Sequence, residues 1–330
     1  MSAAPGRDDP ALAELVAASA RIGADPLLVQ AAGGNTSIKL GGAMWIKASG
    51  QWLADAARQD VMVPVDFVAL RAAYGEGGDV ENAKRFLIGG GVLRPSIETA
   101  MHAMMPHRVV LHVHCVATIA TAVRADAEAR LAGALAGLDW GFVPYVRPGQ
   151  PLADGVMARP GHAIYVFGNH GLTVGAETVD GAVALIETVR ARLAAAARLL
   201  APADDAALAR AAAGSGYEAA PPEIATLGAD PASLAVARAG SLYPDHVIFL
   251  GPGVPERVES GAPLVLVPGA GALLRRDASA SARAMARCIA DVARLVPAGA
   301  ALSVLSADEE AALLGWEAEA YRKTLQRPAS

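Results

Sequence analysis

The segment Arg94-Pro95-Ser96-Ile97-Glu98-Thr99-Ala100-Met101-His102 is followed, after a short interval, by Val109-Val110-Leu111-His112-Val113-His114. The second segment is β-branched and apolar, a strand pattern with two histidines two residues apart. On a strand, residues i and i+2 share a face, so His112 and His114 present their rings side by side. Two neutral imidazoles converging on one point suit a borderline divalent metal such as Zn²⁺. A His-x-His pair also occurs at a surface or hydrogen-bonded within a core, so the pair alone leaves both readings open. Glu98 precedes His112 by fourteen residues, on a predicted helix that turns back onto the strand. Ser96 suits the N-cap of that helix, and Pro95 suits the break before it. A carboxylate so placed serves as metal ligand or as acid/base group, and acid/base is the favoured role.

Working outward, the 330 residues suffice for one large or two medium domains. The chain is 53% hydrophobic, rich in Ala and only 5% aromatic, as in a helix-rich globular protein with a well-filled core. Its net charge is −5 and no basic cluster stands out, which argues against a nucleic-acid partner. The polar start, residues 1–10, does not read as a signal peptide. The longest apolar helical stretch, about 181–200, is interrupted by Glu187, Arg190, Arg192 and Arg198, so no membrane span is expected. Cys115 and Cys288 make no disulfide framework. Cys115 follows His114 on the strand, faces the other way and reads as core packing. A cytoplasmic, reducing location is expected.

In chain order, residues 10–22 read as an amphipathic helix and Asp25-Pro26 as the start of a second, short one. Ala32-Gly33-Gly34-Asn35-Thr36-Ser37 comes next. Its glycines and Asn permit positive φ, and Asn35, Thr36 and Ser37 place side-chain donors beside free N–H groups. Such a loop can cradle an anion, and equally it can be a plain Gly-Asn turn. Strand 44–47 leads to Ala48-Ser49-Gly50, a second small-residue turn that can close on the same anion. Lys39 and Lys47, at the hairpin's edges, either add charge there or are simply solvated. A strand over 61–67, helices over 66–74 and 83–87, helices over 116–123 and 126–137, and a strand over 140–143 follow. Residues 144–160 read as an irregular connection or lid.

Strand 163–167 ends in Gly168-Asn169-His170-Gly171, a tight turn that projects His170 cleanly. Three histidines with one open position are the catalytic rather than the closed structural metal pattern. A long helix is expected over 178–200, and His102, one turn past Glu98, is placed to hydrogen-bond near the site. His162 and His246 read as residues before strands. Residues 201–222, without an apolar period past 213, read as a linker. Beyond it, the strand, Gly turn and helix of 263–296 echo those of 163–200, with Ala270 in the place of His170. The third glycine of a dinucleotide fingerprint is absent at Leu274. Residues 307–324 read as an amphipathic terminal helix.

Together, Gly23–Val29, Gly33-Gly34-Asn35-Thr36-Ser37, Trp45–Gly50, Pro95-Ser96-Ile97-Glu98, His112-Val113-His114 and Asn169-His170-Gly171 resemble the class II aldolase/adducin N-terminal family. Within it they resemble the rhamnulose-1-phosphate aldolase-like branch that other proteins fuse to a short-chain dehydrogenase. The resemblance covers roughly residues 10–200. It implies an α/β fold, a three-layer αβα sandwich around a mostly antiparallel sheet over residues 1–200; the linker (201–222) and a smaller α/β region (223–330) follow from the chain's own pattern. It implies one Zn²⁺ per chain on His112, His114 and His170, and Glu98 as acid/base. It implies that Asn35, Ser49, Gly50 and Ser96 hold a substrate phosphate, within a loop that also includes Gly34 and Thr36. The implied activity is cleavage of a ketose 1-phosphate through a metal-stabilised enediolate, with Glu98 raised in pKa by burial, in a homo-oligomer and most often a tetramer.

There are departures. Aldolases of the fuculose type carry a second hydroxyl residue where this chain has Ile97. No Tyr-x-x-x-Lys dehydrogenase pair is present, since Tyr321 is followed by Leu325. Tyr243 and Tyr321 are candidates for the tyrosine that relatives bring from a neighbouring subunit. A dehydratase or epimerase on the same scaffold is the alternative, and a non-catalytic adducin-like interaction domain the second.

Overall fold

The computed structural model describes residues 4–325, so residues 1–3 and 326–330 lie outside it. In chain order the elements are α1 (Pro10–Ala24), β1 (Asn35–Leu40), β2 (Ala43–Lys47), β3 (Met62–Val65), α2 (Phe67–Gly75), α3 (Thr99–Met104), β4 (Val109–Val113), α4 (Val116–Ala122), α5 (Ala127–Ala134), β5 (Trp140–Val143), α6 (Gln150–Met157), β6 (Ile164–Phe167), β7 (Gly171–Ala176) and α7 (Val179–Arg192). They continue with α8 (Asp205–Ala212), β8 (Tyr217–Ala219), α9 (Pro222–Ala229), α10 (Pro231–Arg238), α11 (Pro244–Leu250), β9 (Leu264–Val267), β10 (Gly271–Arg275), α12 (Ala280–Leu295), α13 (Ala307–Leu314) and α14 (Glu317–Thr324). The chain divides into two compact units, one of residues up to 115 with 134–192, the other of 116–133 with those from 193 on. Among the described residues no helix is long and apolar enough to cross a membrane.

The first unit is an αβα sandwich. Its seven-stranded sheet runs β3-β2-β1-β4-β7-β6-β5, antiparallel except for the β5–β6 pair. Helices α1 and α7 pack on one face and α2, α3 and α6 on the other. α1 starts where Asp9 accepts from the Ala11 N–H and Pro10 presets the first turn; it buries Leu12, Leu15, Ala18 and Ile22. The opposite layer closes over Met44, Ile46, Met101, Val110, Tyr165 and Phe167. Each such side chain contributes about 1.5–3 kcal/mol by leaving water. β4 lies at the sheet's centre with β1 and β7 on either side, and its whole length is buried.

In the second unit a three-stranded antiparallel sheet, β8-β10-β9, is covered by helices, with α12 burying Met285, Ile289 and Val292. Gly228 of α9 must be glycine: a Cβ there would lie 1.7 Å from the Gly271 carbonyl oxygen.

Several local expectations are corrected. Asp25–Leu28 is a turn, not a helix; Asp25 Oδ1 accepts from the Leu27 N–H and holds it short. The stretch 144–160 carries α6, whose Leu152, Ala153 and Val156 supply a buried face. α7 stops at Arg192 rather than 200. The expected linker 201–222 holds α8 and β8, because Asp204 caps α8 through the Ala207 N–H and Leu208 anchors it. The terminal helix breaks at Gly315-Trp316 into α13 and α14. His246 lies within α11, not before a strand. It is fully buried and accepts at Nδ1 from the Leu242 N–H (3.2 Å), which leaves Nε2–H to donate to Gly253 O (3.3 Å). Tyr243 is 1% exposed, with burial pushing its hydroxyl well above the ordinary range, so it is a core residue and not one that reaches a neighbouring subunit.

Candidate metal centre

Strand pairing assembles the site. β4 pairs with β1 and β7 so that Asn35, His112 and Thr173 stand in one row across the sheet. The turn between β6 and β7 places Asn169 at φ 51° and closes with Phe167 opposite Gly171, delivering His170 to the same place. One ligand nitrogen from each of His112, His114 and His170 falls within 4.8 Å of the others, and all three residues are buried. Nε2 of His114 lies 3.2 Å from Nε2 of His112. Two nitrogens at about 2.0–2.1 Å from one tetrahedral zinc lie about 3.3 Å apart, so the His112–His114 pair already has the spacing such an ion requires.

The ring orientation is fixed from behind. His112 Nδ1 lies 2.9 Å from Thr173 Oγ1, whose hydroxyl donates to Met101 Sδ (3.7 Å). The hydroxyl therefore accepts from Nδ1–H, and the Nε2 lone pair is left facing the centre. Burial holds His112 well below the ordinary imidazole range. Thr173→Val should lower metal affinity about 10–100-fold while the fold is retained, measured by competition with a chromogenic chelator. An unchanged affinity would remove Thr173 from the account.

Glu98 is the N-cap residue of α3, yet its side chain makes no capping bond. Its Oε1 lies 3.3 Å from His170 Nε2 and its Oε2 3.4 Å from His112 Nε2. Asn35 Nδ2 donates to Oε2 at 2.6 Å. Burial by itself would raise this carboxyl; the imidazoles of His112 and His170, the Asn35 donor and His114 outweigh it and bring it down to about 2. The expected upward shift is thus reversed, and the group rests as a carboxylate. The expected N-cap Ser96 lies two residues earlier, where its hydroxyl accepts from the Glu98 N–H (3.3 Å) and its carbonyl from the Thr99 N–H (3.1 Å).

The two small-residue turns meet beside this centre. An Ala48–Pro95 bridge, with Ser49 N donating to Arg94 O (2.8 Å), sets Ser49 and Gly50 next to Ser96. Gly34 takes φ 60°, and a Cβ there would sit 2.9 Å from the His112 carbonyl oxygen, so only glycine fits. Ser49 Oγ and Asn35 Oδ1 are buried and meet no partner among the described residues, as expected of groups that serve a bound ligand. Thr36 does not join them. Strand alternation turns it to the opposite face of the sheet, where its hydroxyl lies 2.7 Å from Ser19 Oγ. Lys47 is not solvated: it is 2% exposed, and its Nζ donates to Ala32 O (2.8 Å) beneath the Gly33-Gly34 turn. Lys39 donates to Met105 O and His107 O, and burial with the nearby Arg71 lowers it to about 7.

A family-wide sequence profile, "Class II Aldolase and Adducin N-terminal domain", matches residues 13–197. The chain belongs to this family. The solved N-terminal class II aldolase domain of a conserved protein from Thermoplasma acidophilum is 26% identical, with a TM-score of 0.50 over 58% of this chain and 95% of that one. A Bacillus subtilis protein described as "Uncharacterized oxidoreductase YuxG" is 32% identical over 184 residues, 51% of this chain. The chain spans 27% of the length of that curated relative. A solved L-fuculose 1-phosphate aldolase is 21% identical, with a TM-score of 0.41 over 56% of this chain and 84% of that one.

Within this class II aldolase unit, Thr173 is the contributor that sequence patterns do not single out, and Lys47 is one whose two readings they leave open. Thr173 is visible only through the β4–β7 register, and Lys47 only once β2 is known to run beneath the turn. His102 is fully buried, with Nδ1 2.7 Å from Ser37 Oγ, and burial holds it down to about 3. Burial lowers His246 in the second unit to about 4. Both folded-state values lie below those of an unfolded imidazole, so the unfolded chain binds more protons and stability falls as pH drops below about 6.5. Glu98, also depressed, adds loss below about 4.5. Urea unfolding of metal-free protein across pH 4–8 should show this acid decline, reduced in His102→Gln. A stability flat from pH 7 to 5 would contradict it.

Proposed function

We propose that this chain is a zinc-dependent aldolase-type lyase that cleaves a ketose 1-phosphate or a close relative. The observation that carries the reading is the convergence of three buried imidazoles and the Glu98 carboxylate on one point. His112, His114 and His170 would hold the ion, which supplies Lewis-acid polarisation of the substrate carbonyl. Glu98 handles the proton. Written from the condensation side, its resting carboxylate takes a proton from the carbon next to the carbonyl, and in cleavage it returns that proton. The Asn35 amide fixes which oxygen does so, by holding Oε2. Ser49, Gly50, Ser96 and the Gly34 turn would seat the phosphate, with the Lys47 cation beneath the turn favouring an anion there. Anchoring that end sets the reacting carbons against Glu98. A homo-oligomeric assembly belongs to the same reading.

The test is incubation of zinc-loaded protein with a panel of ketose 1-phosphates, with release of dihydroxyacetone phosphate followed by coupled reduction. Release from at least one sugar supports the lyase. A sugar phosphate that loses water or inverts a centre without releasing a three-carbon phosphate would replace cleavage by dehydration or epimerisation on the same residues.

A further inference from the structure

The second unit repeats the order and pairing of the elements that carry the candidate ligands in the first, without a counterpart of β5. In the first unit α3 leads into β4, which pairs with β7, which pairs with β6, and α7 follows. In the second, α8 leads into β8, which pairs with β10, which pairs with β9, and α12 follows. The registers coincide. Phe167 faces Gly171 and Ile164 faces Val174 in β6–β7; Val267 faces Gly271 and Leu264 faces Leu274 in β9–β10.

The hydrogen bonds flanking the hairpins match as well. His170 N donates to Phe167 O (3.2 Å) and Gly175 N to Ala163 O (2.8 Å); Ala270 N donates to Val267 O (2.9 Å) and Arg275 N to Pro263 O (2.9 Å). The turn residue with positive φ is Asn169 (51°) in one and Gly269 (77°) in the other. The partner strands follow the same rule: His112 faces Thr173, and Ala219 faces Leu273.

The correspondence locates the counterpart of each site residue. Ala219 stands for His112, Pro221 for His114 and Ala270 for His170. The acid has a counterpart too, with a different role. Glu98 at the N-cap of α3 leaves its helix uncapped and points at His112 and His170. Asp204 at the N-cap of α8 gives its carboxylate to the Ala207 N–H (2.9 Å), while its own N–H donates to Ala270 O (2.8 Å). The space is filled differently as well. A Cβ built on Gly171 would meet the His114 and His112 rings at 3.3 and 3.4 Å, whereas one built on Gly271 would meet Leu208 Cδ1 at 3.0 Å. Leu208 is fully buried among Tyr217, Ala225, Val265 and Leu273. The second unit has no counterpart of β1–β3 among its described residues, hence none of the anion loop.

We propose that α8-β8 and β9-β10-α12 are a second, degenerate copy of α3-β4 and β6-β7-α7, in which Ala219, Pro221 and Ala270 stand at vacated metal-ligand positions and Leu208 occupies the space of the imidazoles. The copy serves as folded scaffold, and the described residues carry a single metal centre. This rests on reading His112, His114 and His170 as metal ligands.

The test restores the ligands. Ala219 and Pro221 are exposed, whereas Ala270 is buried in the cluster that holds Leu208, so L208A makes room for the third imidazole. A219H/P221H/A270H, with and without L208A, is compared with wild type for zinc per chain by elemental analysis and for the visible absorption of bound Co²⁺. Foldedness is checked by circular dichroism. The expected result is about one metal more than wild type in at least one variant. Folded variants with the wild-type content would overturn the proposal. If none of them folds, a crystal structure of the wild type decides. Ala219 opposite Leu273 upholds the correspondence, and a one-residue shift of β8 against β10 overturns it, since it turns positions 219 and 221 to the other face. Metal in the wild type tests the first site separately, because only the increment over wild type reads the copy.

Discussion

Glu98→Gln should leave the protein folded and metal-loaded while lowering turnover about 10²–10⁴-fold, the usual effect of removing a general acid/base. The amide is isosteric, so the Asn35 contact and the space between His112 and His170 stay filled. What is lost is the ability to take a proton. The prediction separates two roles the geometry allows, since the carboxylate oxygens lie 3.3 and 3.4 Å from the His170 and His112 Nε2 atoms. An acid/base group loses turnover and keeps the metal, whereas a ligand loses both together. Exchange of the carbon-bound proton of dihydroxyacetone phosphate with solvent deuterium reads the step itself. It should vanish in the variant even where the metal content is intact. Exchange at the wild-type rate would assign the proton to another residue.

His170→Ala should lower turnover roughly 10³-fold or more, because an ion that polarises a carbonyl contributes several kcal/mol to the transition state. Chelation of the wild type should produce the same loss, reversed by added zinc, and zinc should not restore the variant. His170 is the sharpest place to make this test. It comes from the β6–β7 turn, where Asn169 already takes the left-handed backbone, so the side chain can be removed without disturbing a strand pairing. Wild-type turnover in the variant would disconnect the imidazole cluster from the chemistry.

The sandwich and its candidate site are legible in the sequence where the pattern is local. His112 and His114 are set on one face by strand alternation, His170 by a Gly-flanked turn, and Gly34 by the need for positive φ. What is not legible depends on pairing and on competition between charges. Thr173 matters because β7 runs beside β4 in one register, which no local pattern encodes. Thr36 lies between Asn35 and Ser37, whose side chains reach Glu98 and His102. The alternation that aims those two neighbours turns Thr36 away, to Ser19 on the other face. Burial alone predicts a raised Glu98 carboxyl. It falls because three imidazoles and the Asn35 amide surround the carboxylate, an arrangement that only the assembled site reveals. In the stretch 201–222 the apolar period is too short to announce α8. That helix exists because Leu208 is buried against β10 and Asp204 caps it, which are tertiary causes.

The most direct test of the central claim, that His112, His114 and His170 form a divalent-metal centre, is elemental analysis of the native protein and of His114→Ala. Both should be purified without chelators and then dialysed against zinc. The account predicts about one zinc per chain in the native protein, as expected for a three-histidine catalytic site, and its loss in the variant. Native protein that holds no metal after zinc is offered, or a folded variant that keeps the full complement, would contradict it.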